Sequence, residues 1–213
     1  MAEKTRNKTT AGASRRTLLL ALLLGLAAGV MTAVVLLADF GEIGGSQNAA
    51  TGKALIGGPF TLVNGQGERV TEKTFAGKPM LVFFGFTNCP DVCPSGLQVI
   101  AAAIDQLGDK AKGLTPIFIT VDPARDTPEV TAKYVTSFHP AIVGLSGSEQ
   151  DVAGAIKAYR VYAKKVEDGA TADHYNVDHS AFLYLMDANG EFVKHFSHSV
   201  DADTLATELS KAL

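Results

Sequence analysis

The chain is 213 residues long, 46% hydrophobic and 19% charged, with 19 Lys+Arg against 22 Asp+Glu and a formal net charge of −3. That length holds one domain and an appendage, and the weakly acidic balance leaves no basic face for nucleic acid. With only two cysteines, a disulfide-built scaffold is excluded.

The appendage comes first. Residues 18–38 carry no charge, which as a helix is about 31 Å, enough to cross a hydrocarbon core about 30 Å thick. Lys4, Arg6, Lys8, Arg15 and Arg16 precede this run against Glu3 alone, and Asp39 and Glu42 follow it. Such a distribution keeps the short basic end in the cytoplasm and exports the rest. The run is longer than the apolar core of a cleaved signal peptide, and Ala38-Asp39-Phe40 is a poor cleavage site. The sequence therefore predicts a cytoplasmic leader at 1–16, a transmembrane anchor at 17–38, a flexible tether at 39–57 and one folded domain at 58–213. From residue 40 onward 14 basic and 20 acidic residues remain, so the exported part is acidic. A basic leader this short suits a bacterial inner membrane, with the domain in the periplasm.

In the domain, residues 60–63 and 69–71 flank the turn signal Asn64-Gly65-Gln66-Gly67 and predict a hairpin. Residues 80–86 (MLVFFGF) form an unbroken apolar run, as expected of a central strand covered on both faces. Leu97, Ile100, Ala101, Ile104 and Leu107 then recur at helical spacing. A second buried strand is predicted at 115–121, a helix starting at Thr127-Pro128-Glu129, a strand at 141–145 and a helix near 148–159. Strands at 181–186 and 192–196 around Asp187-Ala188-Asn189-Gly190, and a closing helix from 201, complete the order. This is an α/β domain, a mixed central sheet with helices on both faces.

Between the first buried strand and its helix lies Cys89-Pro90-Asp91-Val92-Cys93. This placement resembles the thioredoxin arrangement, in which a helix N-terminus favours thiolates. C-x-x-x-C is one residue longer than the redox C-x-x-C. With its second half helical, both sulfurs lie on one face and can converge on one soft ion or oxidise to a disulfide. Two thiolates select Cu(I) or Zn(II); structural zinc wants four ligands, whereas Cu(I) accepts fewer.

Five histidines could complete such a site. His139 reads as a helix-terminal cation, His195 and His198 as strand residues facing opposite ways, and His174 as part of a polar loop at 168–176. His179 differs, because Val177-Asp178-His179-Ser180 leads directly into the apolar residues 181–185. Thioredoxins place a cis-proline in the loop entering that strand, opposite the cysteines. Here residues 141–213 contain no proline, and His179 holds the facing position, which shifts the expectation from disulfide exchange toward metal binding. Asp178 beside it is a candidate supporting group.

At these residues the chain resembles the Sco/SenC family, through FGFTNCPDVCP at 84–94, TVDPARDTP at 120–128 and YNVDHSAFLYLMDANG at 175–190. The resemblance implies a membrane-anchored, thioredoxin-like copper protein that helps mature the copper A centre of cytochrome c oxidase, a metallochaperone rather than an enzyme, with thiol–disulfide oxidoreductase activity left open. It implies Cys89, Cys93 and His179 as ligands of Cu(I) or Cu(II), Asp178 as a tuning group, and a mainly structural role for Asp122 and Arg125. The expected partners are the copper A subunit and other periplasmic copper chaperones or thioredoxin-like reductants. A thiol–disulfide reductase that keeps the oxidase cysteines reduced is the alternative, and it does not require His179.

Overall fold

The computed structural model describes residues 55–167 and 175–213, together with Gly25, Leu26, Gly29 and Met31, which are helical. The predicted leader, the rest of the anchor, most of the tether and His174 lie outside the described residues, and among those described no helix is long and apolar enough to cross a membrane. The chain divides into two units, Met1–Lys53 and Ala54–Leu213; the fold that follows is that of the second.

Its elements run β1 (Thr61–Asn64), β2 (Arg69–Thr71), β3 (Met80–Gly85), α1 (Val92–Leu107), β4 (Thr115–Thr120), α2 (Pro128–Thr136), β5 (Val143–Ser146), α3 (Glu149–Ala158), β6 (Ala163–Glu167), β7 (Tyr175–His179), β8 (Phe182–Met186), β9 (Phe192–Ser197) and α4 (Ala202–Ser210). Seven strands form one mixed sheet in the order β2-β1-β5-β4-β3-β8-β9. β3, β4 and β5 are parallel, which needs the crossover connections that α1 and α2 provide, and β1 and β8 join them antiparallel.

β3 is buried along its whole length. Its alternation explains why the run is apolar throughout. Met80, Val82 and Phe84 face one core, shared with Val152 and Ala155 of α3, while Leu81 and Phe83 face the other, shared with α1, α2 and α4. Each such side chain stabilises the fold by about 1.5–3 kcal/mol. Within α1 the fully buried alanine is Ala103 rather than the expected Ala101, because the helix presents 97, 100, 103, 104 and 107 to the sheet. Helices are capped where the sequence indicates: Thr127 accepts from Val130 N–H ahead of α2, and Ser148 and Asp151 form a reciprocal capping box ahead of α3.

One part departs from expectation. The segment read as a polar loop through 176 contributes a strand from Tyr175, and β6 was not anticipated at all. Among the described residues β6 and β7 pair only with each other, Ala163 opposite His179 and Glu167 opposite Tyr175. The sequence AKKVE shows no apolar alternation because four of its five residues are exposed, so the hairpin leaves no periodic signal.

Candidate metal centre

The tight turn after β3 is set by the Cys89 N–H, which donates to the Phe86 carbonyl at 3.3 Å. α1 then starts at Val92, with Pro94 in its first turn, where a missing N–H leaves no intrahelical bond unmade. Cys89 is half-buried and Cys93 fully buried. The Cys93 N–H donates to Cys89 Sγ at 3.5 Å.

His179 is the last residue of β7 rather than a loop residue. Its Nδ1 lies 3.1 Å from the Ser180 carbonyl, which only accepts, so Nδ1 carries the proton. That leaves Nε2 free, 3.6 Å from Cys93 Sγ. The ring packs edge-on to Phe86, centroids 5.8 Å apart. The ligand atoms of Cys89, Cys93 and His179 all lie within 4.8 Å of one another, and they are the only such group among the described residues. Ligands at about 2.0–2.3 Å from a shared ion sit roughly 3.5–4 Å apart, so the arrangement fits one ion with small adjustments. With no fourth ligand in the group, the donor set suits a soft ion of low coordination better than structural zinc.

The thiols are unequal. The hydrogen bond from the Cys93 thiol, aided by the Cys93 N–H, holds Cys89 well below the ordinary thiol range. The same bond, together with burial and the neighbouring charge, pushes Cys93 up. A cleft of about 240 Å³ opens beside Cys89, between Pro90 and Asp91 on one wall and Asn176, Asp178 and His179 on the other.

Asp178 lines this cleft but is not among the converging ligands. It is exposed and precedes His179 on a strand, so alternation turns its carboxylate away from the imidazole. Asp122 is fully buried. It accepts from the Arg125 Nε and, at 2.7 Å, from the Tyr175 hydroxyl. Burial and that bond push the Tyr175 phenol up to about 12, so it remains a donor. Arg125 Nη1 donates to the Tyr175 carbonyl at 3.0 Å, and its Nη2 is buried without a hydrogen-bond partner among the described residues.

Asp126 carries no signal of its own in the sequence. Its buried carboxylate accepts from the Thr87 N–H at 2.9 Å, the Thr87 hydroxyl at 2.5 Å and the Thr120 hydroxyl at 2.7 Å, clamping the turn that carries Cys89. Tyr175 and Ser180 were missed likewise; all three lie inside the motifs quoted above, but only contacts reveal what they hold. The other three described histidines are engaged elsewhere: His139 pairs with Asp105 at 3.4 Å, His195 stands between Phe182 and Phe192, and His198 bonds through its backbone to Ala181.

The SCO1/SenC family model matches residues 48–213. A mitochondrial SCO1 homolog 1 of Arabidopsis thaliana is 42% identical over 168 residues, 78% of this chain and 50% of the relative. Mitochondrial SCO1 of Saccharomyces cerevisiae is 43% identical over 159 residues, 74% of this chain and 54% of the relative. The chain thus spans about half the length of these relatives. Among solved structures, copper-bound ScoI of Bradyrhizobium japonicum is 46% identical with a TM-score of 0.69, covering 74% of this chain and 99% of that one. Copper-bound yeast Sco1 is 41% identical with a TM-score of 0.68, covering 73% and 87%.

Proposed function

The chain belongs to the SCO1/SenC family, and from that premise we propose that it is a copper-binding assembly factor whose domain carries one copper on Cys89, Cys93 and His179. Its destination is the copper A subunit of cytochrome c oxidase. The observation that carries this reading is the convergence of two sulfurs and one bare imidazole nitrogen within 4.8 Å beside an open cleft. Two thiolates favour Cu(I), and the imidazole makes Cu(II) tolerable. Low coordination and a half-exposed Cys89 allow a partner thiol to replace the ligands one at a time, Cys89 first. Solved relatives with copper bound support the choice of metal.

The same proposal includes the anchor. Residues 17–38 would span the bacterial inner membrane once, with 1–16 cytoplasmic and the domain periplasmic, tethered through 39–57; the support is the uncharged run and the basic leader.

The test is anaerobic Cu(I) titration of the reduced full-length protein in detergent against a chromophoric chelator. One copper per chain is expected, weakened tenfold or more in His179→Ala, about 1.4 kcal/mol, and lost in Cys89→Ser/Cys93→Ser. Equal binding by wild type and His179→Ala would sink the proposal and move the thiol–disulfide reductase, which does not need the imidazole, to first place.

A further inference from the structure

The two halves of the site reach it by different routes. Cys89 and Cys93 belong to the main body, at the junction of β3 and α1, whereas His179 rides on a hairpin that is paired with no strand of the main sheet. Nothing in the sheet ladder therefore fixes the imidazole relative to the sulfurs. The fixing comes from Val177, buried in the core at the middle of β7, and from contacts at the two ends of the strand.

At the His179 end is a neck: Ser180 N–H donates to the Tyr162 carbonyl at 2.9 Å, and Tyr162 N–H to the Ser180 hydroxyl at 3.0 Å. The opposite end is held by Tyr175, four residues or about 13 Å along the strand. Its hydroxyl donates to buried Asp122 at 2.7 Å, its carbonyl accepts from Arg125 at 3.0 Å, and the Arg125 guanidinium lies 3.8 Å from the centre of its ring. Lys165, from β6, also lies over that ring at 4.9 Å and within 4.0 Å of the Asp122 carboxylate. Arg125 reaches the site by a second path, 5.8 Å above the ring of Phe86, the ring on which His179 packs edge-on. A neck alone is a pivot; a neck and a distant latch define an orientation.

We propose that Tyr175 and Arg125, anchored on Asp122, are positioning residues that hold the hairpin so that His179 Nε2 stays within ligand reach of the two sulfurs, and that this latch thereby sets how tightly Cu(II) is held relative to Cu(I). This rests on the Cys89, Cys93 and His179 copper reading. The selectivity follows from donor chemistry: when the imidazole swings out of place Cu(I) loses one ligand but keeps the two thiolates that suit it, whereas Cu(II) depends more heavily on the nitrogen. Loosening the hairpin therefore weakens the oxidised ion first. The latch and the Thr87 clamp share one loop, Asp122 gripping the histidine hairpin and Asp126 the cysteine turn, so that loop registers both halves of the site on each other.

The experiment compares full-length wild type, Tyr175→Phe, Arg125→Gln and His179→Ala in detergent, each titrated anaerobically with Cu(I) and with Cu(II). Nitrogen coupling in the electron paramagnetic resonance spectrum of the Cu(II) form reports imidazole ligation. Tyr175→Phe keeps the ring and removes only the bond to Asp122, so it remains informative if Arg125→Gln fails to fold. The expected result is Cu(II) affinity reduced about tenfold in Tyr175→Phe, with Cu(I) affinity within about threefold of wild type and weakened nitrogen coupling. For a one-electron couple that tenfold selective loss raises the copper potential by about 59 mV. If His179→Ala loses Cu(II) while Tyr175→Phe and Arg125→Gln match wild type, the latch is refuted and the metal site stands. Equal weakening of both oxidation states in Tyr175→Phe also refutes it, reducing the contact to general stability. Wild-type Cu(II) binding by His179→Ala refutes the site beneath it.

Discussion

Cys89 and Cys93 meet different surroundings although they share a hydrogen bond. Cys89 is half-exposed beside the cleft and accepts from the Cys93 side chain and N–H, while Cys93 is enclosed by the core. The depressed pKa of Cys89 means that its thiolate, and the stability tied to it, persists below the ordinary thiol pKa and is lost only as pH falls through the folded value. Cys93 runs the other way, holding its proton as pH rises. Since the thiolate is the reacting form, iodoacetamide at about pH 6, roughly two units below the ordinary thiol pKa, should alkylate Cys89 in the reduced, metal-free protein and spare Cys93, as read by peptide mass mapping. Equal labelling of both, or a Cys89 rate that follows the pH profile of free cysteine, would contradict this assignment.

β3 and α1 approach so closely at Gly85 that a methyl group there would stand 2.7 Å from Cys93 Sγ and 2.8 Å from the Phe118 ring. Neither neighbour can yield without moving a buried side chain, so Gly85→Ala should destabilise the metal-free domain by about 1–3 kcal/mol in urea denaturation and weaken Cu(I) binding by displacing the sulfur. An unchanged midpoint together with wild-type affinity would show that the strand and helix have slack. The sheet strands and the helices were legible because burial imposes a period: β3 and β4 as solid apolar runs, α1 as a 3.6-residue repeat, α2 and α3 through their caps. The C-x-x-x-C motif and His179 were legible through their position between such elements. The β6–β7 hairpin was not, since it borrows little core and its lysines show no alternation. Asp126 and Tyr175, and the partner that Arg125 holds in its expected structural role, escaped for a related reason: buried polar contacts across 39 and 50 positions have no sequence period.

At the scale of the whole molecule, the proposed anchor is tested by fractionation. The full-length chain should remain with membranes after an alkaline carbonate wash, and deletion of residues 1–38 should release it; a chain that washes off intact would overturn the single-pass assignment. Charge is apportioned to match, with the acidic excess confined to residues 40–213 and the basic excess before the uncharged run. Cys93 and His179 are 86 positions apart in the chain. An ion shared between them would act as a cross-link closing most of the domain into a loop, and loop-closure reasoning assigns such a link on the order of 4 kcal/mol against the unfolded chain. In the proposed role the loaded protein would resist unfolding more than the spent one, so the two would be distinguishable by that difference alone, to a partner that never touches the metal.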